Sequence, residues 1–414
     1  MSVAFPLGKL EFDPPSNWTQ TFVGQICDEN DGDVQTGPFG SQLHASDYSD
    51  EGVPLVMPQD MADGKILTTK IARVDSSHVE RLSKHMLRTG DIVFSRRGDV
   101  ARFAIVNCAE QGWLCGTGSV RIRLNSPLID TLFLRRFLQL DSVGKWLNHQ
   151  AKGITMPNLN TGILRALPLY FPSLPEQRQI AAILDKADAV RRKREESIRL
   201  TEELLRSTFL EMFGDVATAP AKPLAELAEV VSGVTKGRKL NGRAVTVPYL
   251  RVANVQDGFL NLDEIKTIEA LPSEVEALAL KAGDIVMTEG GDHDKLGRGA
   301  IWTGAVQNCI HQNHVFRVRV NQRHILPDYF ATYLRTSEAK QYFLRCAKKT
   351  TNLASINMTQ LRGLPVPLPS VRLQQKFQDA AKAIYELSAA RKKAAHESQS
   401  LFGSLVQRAF RGEL

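Results

Sequence analysis

Apolar and polar positions change their spacing twice along this chain, each time from short alternating runs to a long helical stripe. Val53-Pro54-Leu55-Val56-Met57, Asp91-Ile92-Val93-Phe94 and Ser119-Val120-Arg121-Ile122-Arg123-Leu124 are β-like runs broken by glycine and aspartate turns. Helical patches follow at about Thr131–Leu147 and, in the second half, Pro327–Ala347. At Pro175-Glu176-Gln177-Arg178-Gln179 a long helix begins, with proline in its first turn and a glutamate at the positive end of the macrodipole. Its apolar stripe reads Ile180, Leu184, Ala187, Ile198, Leu205 and Met212, and Gly214 closes it. Neither proline nor glycine interrupts Glu176 to Phe213, which predicts a rod on the order of 57 Å at 1.5 Å per residue. A second rod runs from about Leu373 to Phe410 on Phe377, Ala381, Ile384, Leu387, Ala394, Leu401 and Leu405. An isolated helix of that length with a narrow stripe needs a mate, and each rod is the other's obvious one.

The two halves are copies. Pro168 and Pro365, Gln177 and Gln374, and Phe213 and Phe410 each lie 197 positions apart. Upstream the offset shrinks slightly: Gly90-Asp91-Ile92-Val93 answers Gly283-Asp284-Ile285-Val286, and Val120-Arg121-Ile122-Arg123 answers Phe316-Arg317-Val318-Arg319. A period this long is too large for a solenoid unit, so each repeat is a domain plus a connecting element. The expected class is α+β: two pseudo-symmetric globules, residues 1–172 and 217–369, with two long antiparallel coiled-coil helices, 173–216 and 370–414. Ala217 to Pro223, rich in alanine and proline, reads as a linker. Two copies of one domain suit a ligand that presents two sites.

At 414 residues the chain exceeds the size at which a single core stops growing. Its net charge of +7 favours an anionic partner, nucleic acid or an acidic protein face. No apolar run approaches the roughly 18 residues a membrane span needs, and no basic-then-apolar leader is visible, so a cytoplasmic protein is expected. The five cysteines are odd in number and lack Cys-x-x-Cys spacing, which argues against a disulfide framework or a zinc site.

Gly37-Pro38-Phe39-Gly40-Ser41, Gly90-Asp91-Ile92-Val93-Phe94-Ser95-Arg96 and Leu174-Pro175-Glu176-Gln177-Arg178-Gln179-Ile180 leading into a long helix resemble a type I restriction–modification specificity subunit. Pro14-Pro15-Ser16-Asn17-Trp18 is similar to the lead-in of its domains, and the resemblance covers both halves and both rods. The second copy departs from the pattern: Val371-Arg372-Leu373-Gln374-Gln375 replaces Pro-Glu-Gln, and Ser232-Gly233-Val234-Thr235-Lys236-Gly237 replaces the Gly-Pro-Phe-Gly loop. The first change leaves the start of the second rod open. The resemblance implies a scaffold without catalysis of its own, in which each globule is a target recognition domain reading half of a split, asymmetric site on double-stranded DNA. It implies two adenine-N6 methyltransferase subunits as partners, with restriction subunits able to join, and places S-adenosylmethionine, ATP and Mg only in those partners.

Candidate DNA contacts in the first half are Phe39 and Ser41 of the glycine loop, Arg96, Arg97 and Arg102 after the Gly-Asp-Ile-Val strand, and Lys152, Thr155 and Asn158 of a polar loop. In the second half they are Lys236, Arg238, Lys239 and Arg243, then His293, Lys295 and Arg298, then Lys348, Lys349, Asn352 and Ser355. An arginine fork can hold guanine O6 and N7 together, whereas lysine acts as a point charge on phosphate. The basic clusters Arg191-Arg192-Lys193-Arg194 and Arg391-Lys392-Lys393 read as solvated helix faces, the alternative being contacts to DNA phosphates or to an acidic patch on the methyltransferase. Two rival functions remain. In a self-sufficient methyltransferase, Asp13-Pro14-Pro15-Ser16 would hold the amine, but it lacks the aromatic residue that stacks a flipped base. The glycines of Leu114-Cys115-Gly116-Thr117-Gly118 are missing from Cys309-Ile310-His311-Gln312-Asn313 in the second copy. The other rival is a coiled-coil scaffold that binds protein only. Gly290-Gly291-Asp292-His293-Asp294-Lys295 carries metal-type side chains but reads as a loop between strands, and no metal site is expected.

Overall fold

The computed structural model describes residues 10–40, 42–151, 157–214, 220–240, 242–292, 295–349 and 354–414. Helices and strands occur in both halves, and the fold is α+β. The chain divides into two compact units, Met1–Lys193 with Ala395–Leu414, and Arg194–Ala394. The divide falls inside the long helices, so each unit combines one globule with part of both rods.

Each unit is organised on a four-stranded antiparallel sheet. In the first the order is Asp33–Thr36, Ser119–Arg123, Ile92–Ser95, Phe103–Ile105; in the second it is Ala228–Ser232, Val315–Val320, Ile285–Thr288, Gly299–Ile301. The Gly-Asp-Ile-Val signature builds the same device in both. Gly90 and Gly283 adopt φ of 87° and 91°, which turns the chain into the strand. The next residue, Asp91 or Asp284, is buried and must be fully bonded. Asp91 accepts from the Arg88 backbone N–H at 2.7 Å and from both arms of Arg123 at 2.7 and 2.6 Å. Asp284 accepts from the Lys281 N–H and from both arms of Arg319, all at 2.7 Å. The paired Arg-x-Arg strands thus supply a charge clamp to the core, not cations to the surface.

The rods run Leu174–Phe213 and Val371–Phe410, each of 40 residues. The second therefore begins at Val371, despite losing the Pro-Glu-Gln start, because the residue that matters is retained. Gln177 is fully buried; its Nε2 donates to the Leu128 and Pro172 carbonyls at 2.8 and 2.9 Å, and its Oε1 accepts from the Asp130 N–H at 2.8 Å. Gln374 repeats this with the His324 and Pro369 carbonyls at 3.0 and 2.9 Å and the Leu326 N–H at 2.8 Å. Gly214, at φ 63°, ends the first rod in the left-handed conformation that glycine adopts without strain.

In the first unit, Ile180, Ala181 and Leu184 of the first rod share one core with Ala409 and Phe410 of the second, around Trp18, Phe133 and Phe137. In the second unit, Leu205 and Phe209 meet Phe377, Ala381 and Ile384. Near the middle of both rods Arg194 donates to the Ala394 carbonyl, while Arg391 donates to the Ser197 carbonyl at 2.8 Å and to Thr201 Oγ1 at 2.6 Å. Arg194 and Arg391 are 197 positions apart, as are Ser197 and Ala394, so the exchange is reciprocal and the helices run in opposite directions within this unit.

Three expectations need correcting. Leu387 and Leu401 face solvent instead of the seam, because arginine and small polar residues such as Thr201 fill the seam around the middle of the rods. Arg191, Arg194 and Arg391 are accordingly not solvated: Arg191 pairs with Asp188 and stacks over Phe402. Within the expected linker, Ala221–Pro223 is an edge strand paired with Pro365–Pro367, a position that tolerates proline; residues 215–219 lie outside the described residues. No helix among the described residues is long and apolar enough to cross a membrane.

Asp188 ties the first rod to its globule. Burial would raise its carboxyl, but hydrogen bonds from Arg191 and Arg136 outweigh that and hold it down at about 2. Asp188→Ala leaves the buried Arg136 with Asp185 as its remaining carboxylate partner and is expected to cost roughly 3 kcal/mol in urea unfolding at pH 7. Because the carboxyl sits below its ordinary 3.8, this contribution is complete above that pH and is lost as pH falls toward 2. An unchanged midpoint would remove the tie. For the glutamine locks, Gln177→Ala and Gln374→Ala each leave buried backbone groups unsatisfied, a loss of roughly 3 kcal/mol. Hydrogen exchange should rise only in the unit that carries the change.

Candidate nucleic-acid interface

In each globule the central strand of the main sheet ends in a residue held by the same two backbone bonds. Arg96 follows the Ile92–Ser95 strand; its N–H donates to the Gly118 carbonyl at 2.8 Å and its carbonyl accepts from Leu159 N–H at 2.9 Å. Glu289 follows the Ile285–Thr288 strand; its N–H donates to His314 at 3.0 Å and its carbonyl accepts from Ile356 at 2.8 Å. The preceding residues match too, since Ser95 N–H donates to the Arg102 carbonyl at 2.8 Å and Thr288 N–H to that of Arg298 at 3.0 Å. These bonds fix where the side chains that follow each strand emerge.

At the first strand end the Arg96 guanidinium lies 5.4 Å over the ring of Phe39, which stays 52% exposed. Arg97, itself exposed, forms an isolated bridge with Asn158, and Ser95 Oγ donates to the Arg97 carbonyl at 2.7 Å. Arg102 turns aside to Asp99 at 3.4 Å and the Pro58 carbonyl at 3.3 Å. The glycine loop approaches closely: a Cβ on Gly37 would sit 2.0 Å from the Gly116 carbonyl, and one on Gly233 would sit 1.8 Å from that of His311. Phe39, Arg96, Arg97 and Asn158 are thereby brought together, a planar cation and an aromatic ring beside amide and guanidinium donors.

At the second strand end Gly290–Gly291 pairs with Ala354–Ser355, which pairs with Lys348–Lys349, so Ser355 lies between Gly290 and Lys348. Lys295 packs its Cβ near Gly291 and pairs with Asp292, and Arg298 donates to Gln256 at 3.1 Å. His314 Nδ1 contacts Glu289 Oε2 at 2.6 Å. The loop carrying Lys236, Arg238, Lys239 and Arg243 is a separate group. Arg238 is held by Glu274 and by the Thr235 carbonyl at 3.0 Å, and the other three are exposed. Ser41, Lys152, Thr155, His293 and Asn352 lie outside the described residues.

Glu289 and His314 were not among the sequence candidates, which favoured cations. The signal that finds them is register: Glu289 stands six places after Gly283, as Arg96 does after Gly90. Other ionisable groups are turned inward. Arg121 and Arg317 are buried, bonded to the Lys84 and Ala277 carbonyls and paired with Asp33 and Glu229. Burial pushes the Cys27 thiol up to about 11 and those of Cys115 and Cys309 to about 12, which leaves them poor nucleophiles at neutral pH.

Residues 15–201 match the type I restriction modification DNA specificity domain. A type I restriction enzyme specificity subunit of Methanocaldococcus jannaschii is 28% identical over 158 residues, covering 38% of this chain and 37% of that one. The EcoKI specificity subunit of Escherichia coli is 21% identical over 396 residues, covering 88% and 83%. The fold is similar to a solved chain described under complex assembly and conformational transition of the type I R-M system, at a TM-score of 0.56, 18% identity and 97% and 100% coverage. It is also similar to the type I restriction–modification S subunit from M. genitalium, at a TM-score of 0.53, 16% identity and 98% coverage of each chain. Its first half matches the specificity-domain family, and the chain as a whole is similar to type I restriction–modification specificity subunits.

Proposed function

We propose that this chain is a DNA-specificity subunit whose two globules are target recognition domains, each reading one half of a split, asymmetric site. The observation that carries this reading is the repeated strand end: one sheet, one set of backbone bonds, two different sets of exposed side chains. A common fold with divergent tips is what two readers of different sequences require. The rods act as an antiparallel ruler, and lysine and arginine contacts to phosphate supply affinity that falls with salt. Base edges are read by the few side chains gathered at each strand end.

Catalysis belongs to partners on this reading. Two adenine-N6 methyltransferase subunits bind S-adenosylmethionine and flip the target adenines, and restriction subunits with ATP and Mg are able to join. The exposed apolar residues of the rods support two equivalent docking places. Val190 and Leu401 stand out in the first unit and Leu204 and Leu387 in the second, and Val190 with Leu387 and Leu204 with Leu401 are repeat equivalents.

Replacing residues 30–160 with the same region of another such subunit is expected to change one half of the methylated motif and leave the other intact, as read by methylome sequencing. Changes in both halves would contradict independent readers. Salt-dependent duplex binding by the complex, with no S-adenosylmethionine binding by the isolated chain in calorimetry, separates this reading from both rivals. Leu204→Glu with Leu387→Glu should reduce two bound methyltransferase subunits to one in native mass spectrometry. Retention of both would place docking elsewhere.

A further inference from the structure

We propose that Glu289, oriented by His314, reads a cytosine in the second half-site by accepting a hydrogen bond from its N4 amino group. The inference rests on the specificity reading above and assigns base chemistry to a residue that a cation-based search passes over.

Glu289 occupies in the second globule the place that Arg96 occupies in the first, fixed by equivalent backbone bonds on both sides. Its side chain is partly exposed, 33%, and the contacting imidazole of His314 is 55% exposed, so the pair is at the surface and not part of the core. The next residue, Gly290, pairs with Ser355, and Lys348 lies one strand further across. A surface carboxylate that meets DNA is repelled by the phosphates unless it also meets a donor. Base edges in the major groove offer only two, cytosine N4 and adenine N6, and adenine places the N7 acceptor next to its amine. A carboxylate, which can only accept, therefore fits cytosine. His314 holds one oxygen, Oε2, at 2.6 Å, and the second carboxylate oxygen is the acceptor assigned to the base. Arg96, a pure donor at the equivalent place, fits guanine O6 and N7. The two globules thus present opposite hydrogen-bonding polarity from one scaffold position.

The test is selection of bound duplexes from a randomised pool by the full-length chain in complex with its methyltransferase, comparing wild type with Glu289→Gln and Glu289→Ala. In both variants, preference for cytosine at one position of the second half-site should fall by roughly 5- to 150-fold, with every other position unchanged. Weakening of all sequences alike, an unchanged motif, or an altered first half-site would each overturn the assignment. A wild-type complex that selects no two-part motif would instead refute the specificity reading itself. Circular dichroism of the variants separates loss of fold from loss of reading.

Discussion

The rest of the structure depends on one buried amide in each half. Gln177 and Gln374 each sit at the first turn of a rod and bond three backbone groups of the globule from which that rod emerges. Leaving such groups unsatisfied is costly, so the helix has one favourable seat. Every outer feature is referred to that seat: the direction of the rod, the seam residues that can meet, and the place of the sheet relative to the helix within each unit. Near the middle of the rods, Arg194 bonds Ala394 and Arg391 bonds Ser197, a reciprocal exchange between repeat-equivalent positions.

On the proposed reading, duplication explains how one scaffold would carry two specificities. The buried parts of the device are nearly invariant between copies: glycine at positive φ, aspartate clamped by arginine, glutamine locked to backbone. The tip residues diverge. Arg96 stacks over Phe39, whereas its counterpart Glu289 pairs with His314. A different exposed residue at the end of an equivalent strand changes the chemistry presented there while the backbone bonds that place it stay the same.

The α+β class and the two long helices were legible in the sequence because their signals are strong and local. A proline-and-glutamate helix start, 38 uninterrupted residues and a 197-residue offset leave little freedom. The rod seam was less legible. Leu387 and Leu401 satisfy helical spacing yet face solvent, while Asp188 and Thr201 are buried, because polar bonding between helices overrides apolar periodicity near the rod centre. At the candidate site, Arg96, Arg97 and Asn158 were singled out from loop position, and the structure places them near one another. Glu289 and His314 were passed over because charge composition pointed to cations, although Glu289 stands six places after Gly283 as Arg96 does after Gly90. The linker was misjudged because proline marks an edge strand as readily as a loop.

The central claim is that each strand end meets its own patch of one duplex. The most direct measurement is photo-crosslinking from a benzophenone side chain placed at Phe39 or at Lys348, in the assembled complex on its methylated motif, with crosslinked bases mapped by primer extension. The account predicts two sets of crosslinks, Phe39 to one half-site and Lys348 to the other, with the intervening base pairs unmarked. Crosslinks from both positions to the same half-site, or spread across the spacer, would contradict it.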